Sequence, residues 1–196
     1  ERFGNEHGGS DIRKELGIKP EDTVILSVGE LNKNKNHEVV IRALGDLATD
    51  NIYYVIAGKG ALESYLKETA REVKVEDKLK LVGFRSDIER FFDAADIFIL
   101  PSIREGLNVS LMEAMASGLP CISGNIRGNV DLIDSGKGGY LFDVSSKEEL
   151  AEKLQMIREH LDEFGEYNRQ KIKSFDVDTV SGKLRKVYSE LGENKE

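Results

Sequence analysis

The stretch spanning residues 94–122, AADIFILPSIREGLNVSLMEAMASGLPCI, decides the fold. It opens on a short apolar run, Ile97-Phe98-Ile99-Leu100, cut off by Pro101 and Ser102. A run that is apolar at successive rather than alternate positions predicts a strand buried on both faces, as in a parallel sheet. A polar turn with Glu105 and Gly106 follows, and then a helix over 108–117. Asn108 suits the N-cap of that helix, because its side-chain oxygen accepts from a backbone N–H two or three residues on. Val109, Met112 and Ala116 mark its expected apolar stripe. Gly118 ends it, and Leu119-Pro120-Cys121-Ile122 begins a second buried strand.

This strand–turn–helix sets two carboxylates, Glu105 and Glu113, eight residues apart around a helix N-terminus. Such a terminus presents unpaired N–H groups and a partial positive charge, which suits a phosphate. The glutamates would repel a phosphate, and are fitted instead to accept from hydroxyl groups on the same ligand. A phosphate with sugars on either side meets both requirements.

Outward from this centre, strands and helices alternate, the pattern of a parallel sheet covered on both faces. Strands are expected at 23–28, 53–57, 80–82 and 139–142, besides the two above. Helices are expected at 12–16, at 36–48 with Asn36 as cap, and after the Gly58-Lys59-Gly60 turn, burying Leu62, Tyr65, Leu66, Thr69 and Val73. Further helices are expected from Ser86 or Asp87 to Ala94, at 129–134, at 146–161 with the stripe Leu150, Leu154 and Ile157, and from Asp178 onward. The fold class is α/β: a Rossmann-like doubly wound sheet of about six strands. Residues 1–20 read as a linker-like lead-in with a short helix, 21–175 as the nucleotide-binding domain, and 176–196 as a C-terminal helix with a polar tail. Ligands of such sheets sit beyond the carboxyl ends of the strands, where the loops after the first, third and fourth strands meet.

Composition excludes several classes. A net charge of −8 over 196 residues argues against a nucleic-acid binder, which needs a basic footprint. Cys121 is the only cysteine, so no intrachain disulfide forms and a reducing, cytoplasmic compartment is natural. No run approaches the length of a membrane span. Three scattered histidines form no metal cluster, and His37 reads as a capping or surface residue. Gly58-Lys59-Gly60 fails as a dinucleotide fingerprint, since Glu63 stands at the third glycine and the turn follows the second strand.

The sequence EGLNVSLMEAMASGLP, with a D-x-F-x-L-P-S strand before it, resembles the E-x7-E signature of the retaining glycosyltransferases of family 4. The resemblance covers nearly the whole chain. It implies the C-terminal, donor-binding half of a two-domain GT-B fold, a nucleotide-sugar donor, transfer with retention, and no obligatory metal or other cofactor. It implies that Glu105 contacts the transferred sugar, assisted by backbone groups of Gly106, Leu107 and Asn108. Glu113 would hold the ribose hydroxyls, and the Val109 N–H and Lys35 would meet the diphosphate. The partner implied is an acceptor-binding N-terminal domain, so the chain is expected to be an excised part of a longer enzyme. That enzyme would lie in the cytoplasm or at the inner face of the cell membrane.

The loop Gly29-Glu30-Leu31-Asn32-Lys33-Asn34-Lys35-Asn36 resembles the family's V-G-R-L…K motif, with Glu30 where an arginine usually stands. Its style, VGELNKNKNH, is similar to that of bacterial polysaccharide-building members and points toward UDP-sugars. Lys33 and Lys35 read either as phosphate ligands or as a solvated basic loop, and the phosphate reading is preferred for Lys35. After the third strand, backbone groups around Arg85 would read the nucleotide base, and Phe84 either contacts the base or is core. Asp131, in a segment resembling G-G-x-x-E, is as well placed for the surface as for a ligand. Two rival classes stand: a non-catalytic nucleotide-binding or regulatory domain, for which Glu30 is the argument, and a Rossmann oxidoreductase, weakened by the incomplete glycine fingerprint.

Overall fold

The computed structural model describes residues 8–47, 51–106 and 108–175. Six strands, β1 (Thr23–Val28), β2 (Ile52–Ala57), β3 (Leu79–Gly83), β4 (Ile97–Leu100), β5 (Cys121–Gly124) and β6 (Gly139–Phe142), form one sheet in the order β3-β2-β1-β4-β5-β6. Every pairing is parallel, as expected of a doubly wound fold. The strand order reverses between β1 and β4, which opens a crevice at their carboxyl ends.

Among the described residues seven helices cover the sheet: α1 (Gly9–Glu15), α2 (His37–Asp46), α3 (Glu63–Glu72), α4 (Ile88–Ala94), α5 (Val109–Ala116), α6 (Lys147–Ile157) and α7 (Leu161–Ile172). Successive strand residues point to opposite faces, and both faces are covered, so each strand must be apolar throughout. Ile25, Ile97, Ile99 and Ile122 pack under α2, α3 and α6. Leu26, Phe98, Leu100 and Cys121 pack under α1, α4 and α5. The lead-in is tied to this body: Gly9 N donates to Asp93 Oδ2 at 2.7 Å, and Arg13 pairs with Asp96 at 2.8 Å.

Several local expectations are corrected. Helix α5 buries Leu111, Ala114 and Met115, not the stripe Val109, Met112 and Ala116. The helical spacing is right and its phase is wrong, because Val109 occupies the first helical position and is 58 % exposed. On α3 the buried residues are Leu66, Thr69 and Ala70, while Tyr65 is exposed. Asn36 adopts a left-handed backbone (φ 51°) and makes no capping hydrogen bond. Its amide instead donates to the carbonyls of Pro101 at 3.3 Å and Val144 at 2.9 Å. The expected helix at 129–134 is absent: residues 129–132 form turns, with Asn129 donating back to the Gly124 carbonyl. Helix α6 stops at Ile157, and α7 was not foreseen. The helix expected from Asp178 lies outside the described residues.

Candidate functional site

The loop after β1 owes its shape to its asparagines. Asn32 Oδ1 accepts from Lys35 N at 3.0 Å and closes a 3-10 turn over Lys33–Lys35. Asn34 stitches this loop to the one after β4: its amide donates to Arg104 O at 2.9 Å, and its Oδ1 accepts from Arg104 N at 3.2 Å. The main chain adds Ile103 N donating to Asn34 O at 2.8 Å. These bonds bring Lys35 Nζ to 2.7 Å from Glu105 Oε1, with the two side chains only 20 % and 13 % exposed. Asn108 caps α5 as expected, its Oδ1 accepting from Leu111 N at 3.2 Å and from Ser110 Oγ at 2.9 Å. An acid, a base and a helix N-terminus thus converge at the switch point between β1 and β4. Gly106 and Val109 lie exposed beside them, Glu113 is half-buried one turn along α5, and Leu107 is outside the described residues.

Next to this polar centre, across the ends of β1 to β3, lies a cleft of about 610 Å³. Val28, Ala57 and Ile88 line it, and Phe84, 75 % exposed, stands at its edge. Phe84 is therefore not core. The Arg85 guanidinium is committed elsewhere, forking onto both oxygens of Asp87 at 2.9 Å, reaching Glu15 at 3.0 Å, and lying over the Phe91 ring. Most of the Arg85 guanidinium donors are thus spent on carboxylates, and its backbone is the part placed to meet a ligand. That fork also explains why Asp87, at the N-cap position of α4, makes no cap bond. Glu30 lines the cleft too, and its Oε2 accepts from the Asn32 amide at 3.0 Å rather than pairing with Lys33 or Lys59. Lys33 lies on the other side of the loop, toward Tyr65 and Leu66. Asp131 is exposed on the turn after β5. A Cβ on Gly128 of that turn would come within 2.6 Å of Gly106 O, so the turn leans directly on the Glu105 loop.

His37 is the residue that sequence reasoning misplaced. It is 3 % exposed, and its Nδ1 lies 2.8 Å from Tyr54 Oη. The direction of that bond follows from its neighbours. Ser27 Oγ donates to the Ile99 carbonyl at 2.7 Å, so Tyr54, 2.9 Å away, donates to Ser27, and His37 Nδ1–H donates to Tyr54. Burial lowers the pKa of His37 to about 4, the nearby Glu30 carbonyl works against the fall, and Lys35 adds to it. His37 is therefore neutral at pH 7 and buttresses the loop from below. The unfolded chain takes a proton at His37 near pH 6.5 while the folded chain takes it near pH 4, so stability falls as pH drops through that window. On the order of 2 kcal/mol is expected to be lost between pH 6.5 and 4.5. Urea unfolding across that range should show the slope in the wild type and a flatter one in His37→Phe. An unchanged slope in the variant would assign it to other groups.

Among the described residues no group of three or more His, Cys, Asp or Glu converges on a metal-binding geometry. None of the described helices is long and apolar enough to cross a membrane. Cys121 is buried, its thiol pKa is pushed up by that burial, and it donates to the Leu119 carbonyl.

The sheet order and the placement of the loops define a Rossmann-like α/β domain of the kind that forms the C-terminal half of GT-B glycosyltransferases. The family model described as glycosyl transferases group 1 matches residues 10–171, and the chain belongs to that family. Among solved structures, HepE of Anabaena in complex with UDP superposes with a TM-score of 0.86 at 22 % identity, covering 96 % of this chain and 54 % of that one. The C-terminal domain of LpcC, a group 1 family protein of Francisella tularensis, gives 0.78 at 18 % identity, covering 89 % and 96 %. At these identities the likeness establishes the fold. An Escherichia coli relative, UDP-Gal:alpha-D-GlcNAc-diphosphoundecaprenol alpha-1,3-galactosyltransferase, is 29 % identical over all of this chain and 53 % of its own length. The amylovoran biosynthesis glycosyltransferase AmsK of Erwinia amylovora is 42 % identical over 60 % of this chain and 31 % of its own length. The chain thus spans about half or less of the curated relatives it matches.

Proposed function

We propose that this chain is the donor-binding half of a retaining glycosyltransferase. It would take a UDP-sugar and pass a hexose-type or N-acetylhexosamine sugar to a polysaccharide or lipid-linked acceptor. The observation that carries the reading is the Lys35–Glu105 contact at 2.7 Å at the N-terminus of α5, beside an apolar cleft of base-accepting size. One lysine suited to a diphosphate and one carboxylate suited to sugar hydroxyls are held together where the sheet reverses. Support for UDP comes from the name of the Escherichia coli relative and from the UDP and UDP-glucose complexes of HepE.

In this reading Lys35, the Val109 N–H and the partial charge of the α5 N-terminus meet the diphosphate. Glu105 holds the transferred sugar with backbone groups of Gly106, Leu107 and Asn108. Glu113 takes the ribose hydroxyls, the Arg85 backbone reads the base edge, and Phe84 lies against the base. Catalysis is then electrostatic, because a cation and a helix terminus stabilise the departing diphosphate where its charge develops. An acceptor-binding domain elsewhere in the enzyme completes the cleft, working at the cytoplasmic membrane face. Calorimetric titration of UDP and UDP-glucose into the chain is expected to show binding of both and no sugar transfer by the chain alone. Binding of neither would end the reading.

A second reading, a nucleotide-binding domain without transfer activity, rests on Glu30 in the place of the family's arginine. Because the Glu30 carboxylate is drawn along its own loop by Asn32, Glu30→Ala is expected to change UDP affinity less than about twofold. At an effective dielectric near 20, a carboxylate in contact with the diphosphate would repel it by a few kcal/mol. A tenfold gain for Glu30→Ala at low salt would show that Glu30 opposes the diphosphate and would favour the second reading.

A further inference from the structure

We propose that Lys59 sets the base preference of the cleft, donating to the exocyclic oxygen at C4 of uracil or C6 of guanine, where cytosine and adenine carry an amino group instead. The inference rests on the nucleotide-binding reading above and assigns a determinant within it.

The site divides by polarity. Lys35 and the α5 N-terminus form its polar end, while Val28, Ala57, Ile88 and the exposed Phe84 form its apolar end. A flat, weakly polar ring belongs in the apolar end and the phosphates in the other, since an unpaired phosphate among apolar side chains would lose its hydration without return. The chemistry of the apolar end is then decided by the few polar side chains that reach it, which are Glu30, Lys59 and Arg85.

Two of the three are committed. The Arg85 guanidinium is forked onto Asp87 and bonded to Glu15. The Glu30 carboxylate accepts from Asn32 along its own loop. Lys59 is exposed and has no side-chain partner among the described residues. Its backbone is firmly placed, because the Lys59 carbonyl accepts from Leu31 N at 3.1 Å and the flanking glycines pack against the Gly29 and Leu31 carbonyls. Its Cε lies 3.5 Å from where a Cβ on Gly83 would be, so the stem crosses the end of β3 next to Phe84. An ammonium has three donors and no acceptor. It can satisfy a keto oxygen and has nothing to offer an amino group, which would be left facing a donor.

UDP and CDP make the cleanest comparison, since their bases differ in the oxygen or amino group at C4 and the adjoining ring nitrogen. Titration of UDP, GDP, CDP and ADP into the chain is expected to favour UDP over CDP by roughly tenfold or more, the scale of a hydrogen bond to a charged group. Lys59→Met keeps the stem, and is expected to bring the UDP:CDP ratio close to one by weakening UDP. Uridine should weaken by the same factor as UDP, because the lysine meets the base, and Lys59→Arg should keep the preference. Equal weakening of UDP and CDP, or weakening that spares uridine, would place Lys59 at the phosphates or at a shared group and overturn the proposal. An unchanged ratio in Lys59→Met would make it a solvated lysine and also overturn it. A wild type that bound none of the four would instead remove the proposed function, and this inference with it.

Discussion

Glu105→Gln is expected to tighten UDP binding about fivefold while shrinking the advantage of UDP-glucose over UDP. Lys35 and Glu105 hold each other at 2.7 Å with little of either side chain in water. A diphosphate must draw Lys35 away from that carboxylate, or share it, and the carboxylate is itself a negative charge beside the incoming anion. Desolvation offsets most of the attraction within a pair this far from water, and if removing the competing charge returns about 1 kcal/mol to the anion, affinity rises about fivefold. The glucose moiety, by contrast, loses a charged acceptor for its hydroxyls, so the increment it adds to UDP should fall. Paired titrations of UDP and UDP-glucose into wild type and variant measure both effects. Weaker UDP binding in Glu105→Gln would mean that the carboxylate supports the phosphate site instead of competing for its lysine.

A large loss of stability is expected at a glycine beside the cleft. A Cβ on Gly58 would lie 1.8 Å from Gly29 O and 2.7 Å from Gly29 C. Both are backbone atoms at the ends of paired strands, so no side chain can swing aside to make room. Gly58→Ala must part the turn after β2 from the loop after β1, at a cost of about 3 kcal/mol. Because the cleft floor runs across that contact, UDP affinity should fall with it. Denaturant unfolding gives the first quantity and calorimetry the second, and a stability loss under about 1 kcal/mol would show that the turns are looser than this packing implies.

Much of the fold could be read in the sequence because the strands are short, doubly buried and bounded by Gly or Pro. Thr23–Val28, Ile97–Leu100 and Gly139–Phe142 came out at the expected residues. What was misread depended on contacts distant in sequence. His37 follows a polar loop, and nothing local shows that Tyr54 on β2 and Ser27 on β1 are waiting to bond it. Asn36 looks like a cap until Pro101 and Val144 supply better partners. Helix α7 buries Phe164, Gly165 and Asn168, a stripe with one large apolar residue. Asn168 is there to donate to the Leu119 and Gly138 carbonyls at 2.7 Å, a polar task that hides the helix from an apolar pattern. The stripe of α5 was mis-phased because Val109, though apolar, is exposed at the first helical position.

For the candidate site, the sequence gathered Lys35, Glu105 and the cap of α5 through the order of strands and loops. It did not reveal how the asparagines in NKNKN serve the site. Asn32 and Asn34 shape the loop and join it to the Arg104 backbone, which is what carries Lys35 to Glu105. An Asn34→Ala comparison would be informative, but the lysine itself bears the central claim.

That claim is that the loop after β1 presents Lys35 to a diphosphate. Titrating UDP and uridine into wild type and Lys35→Ala tests it most directly. UDP is expected to weaken by more than about tenfold, the scale of a charge-assisted hydrogen bond, with uridine changed less than about twofold. Equal losses for UDP and uridine, or none for either, would contradict it.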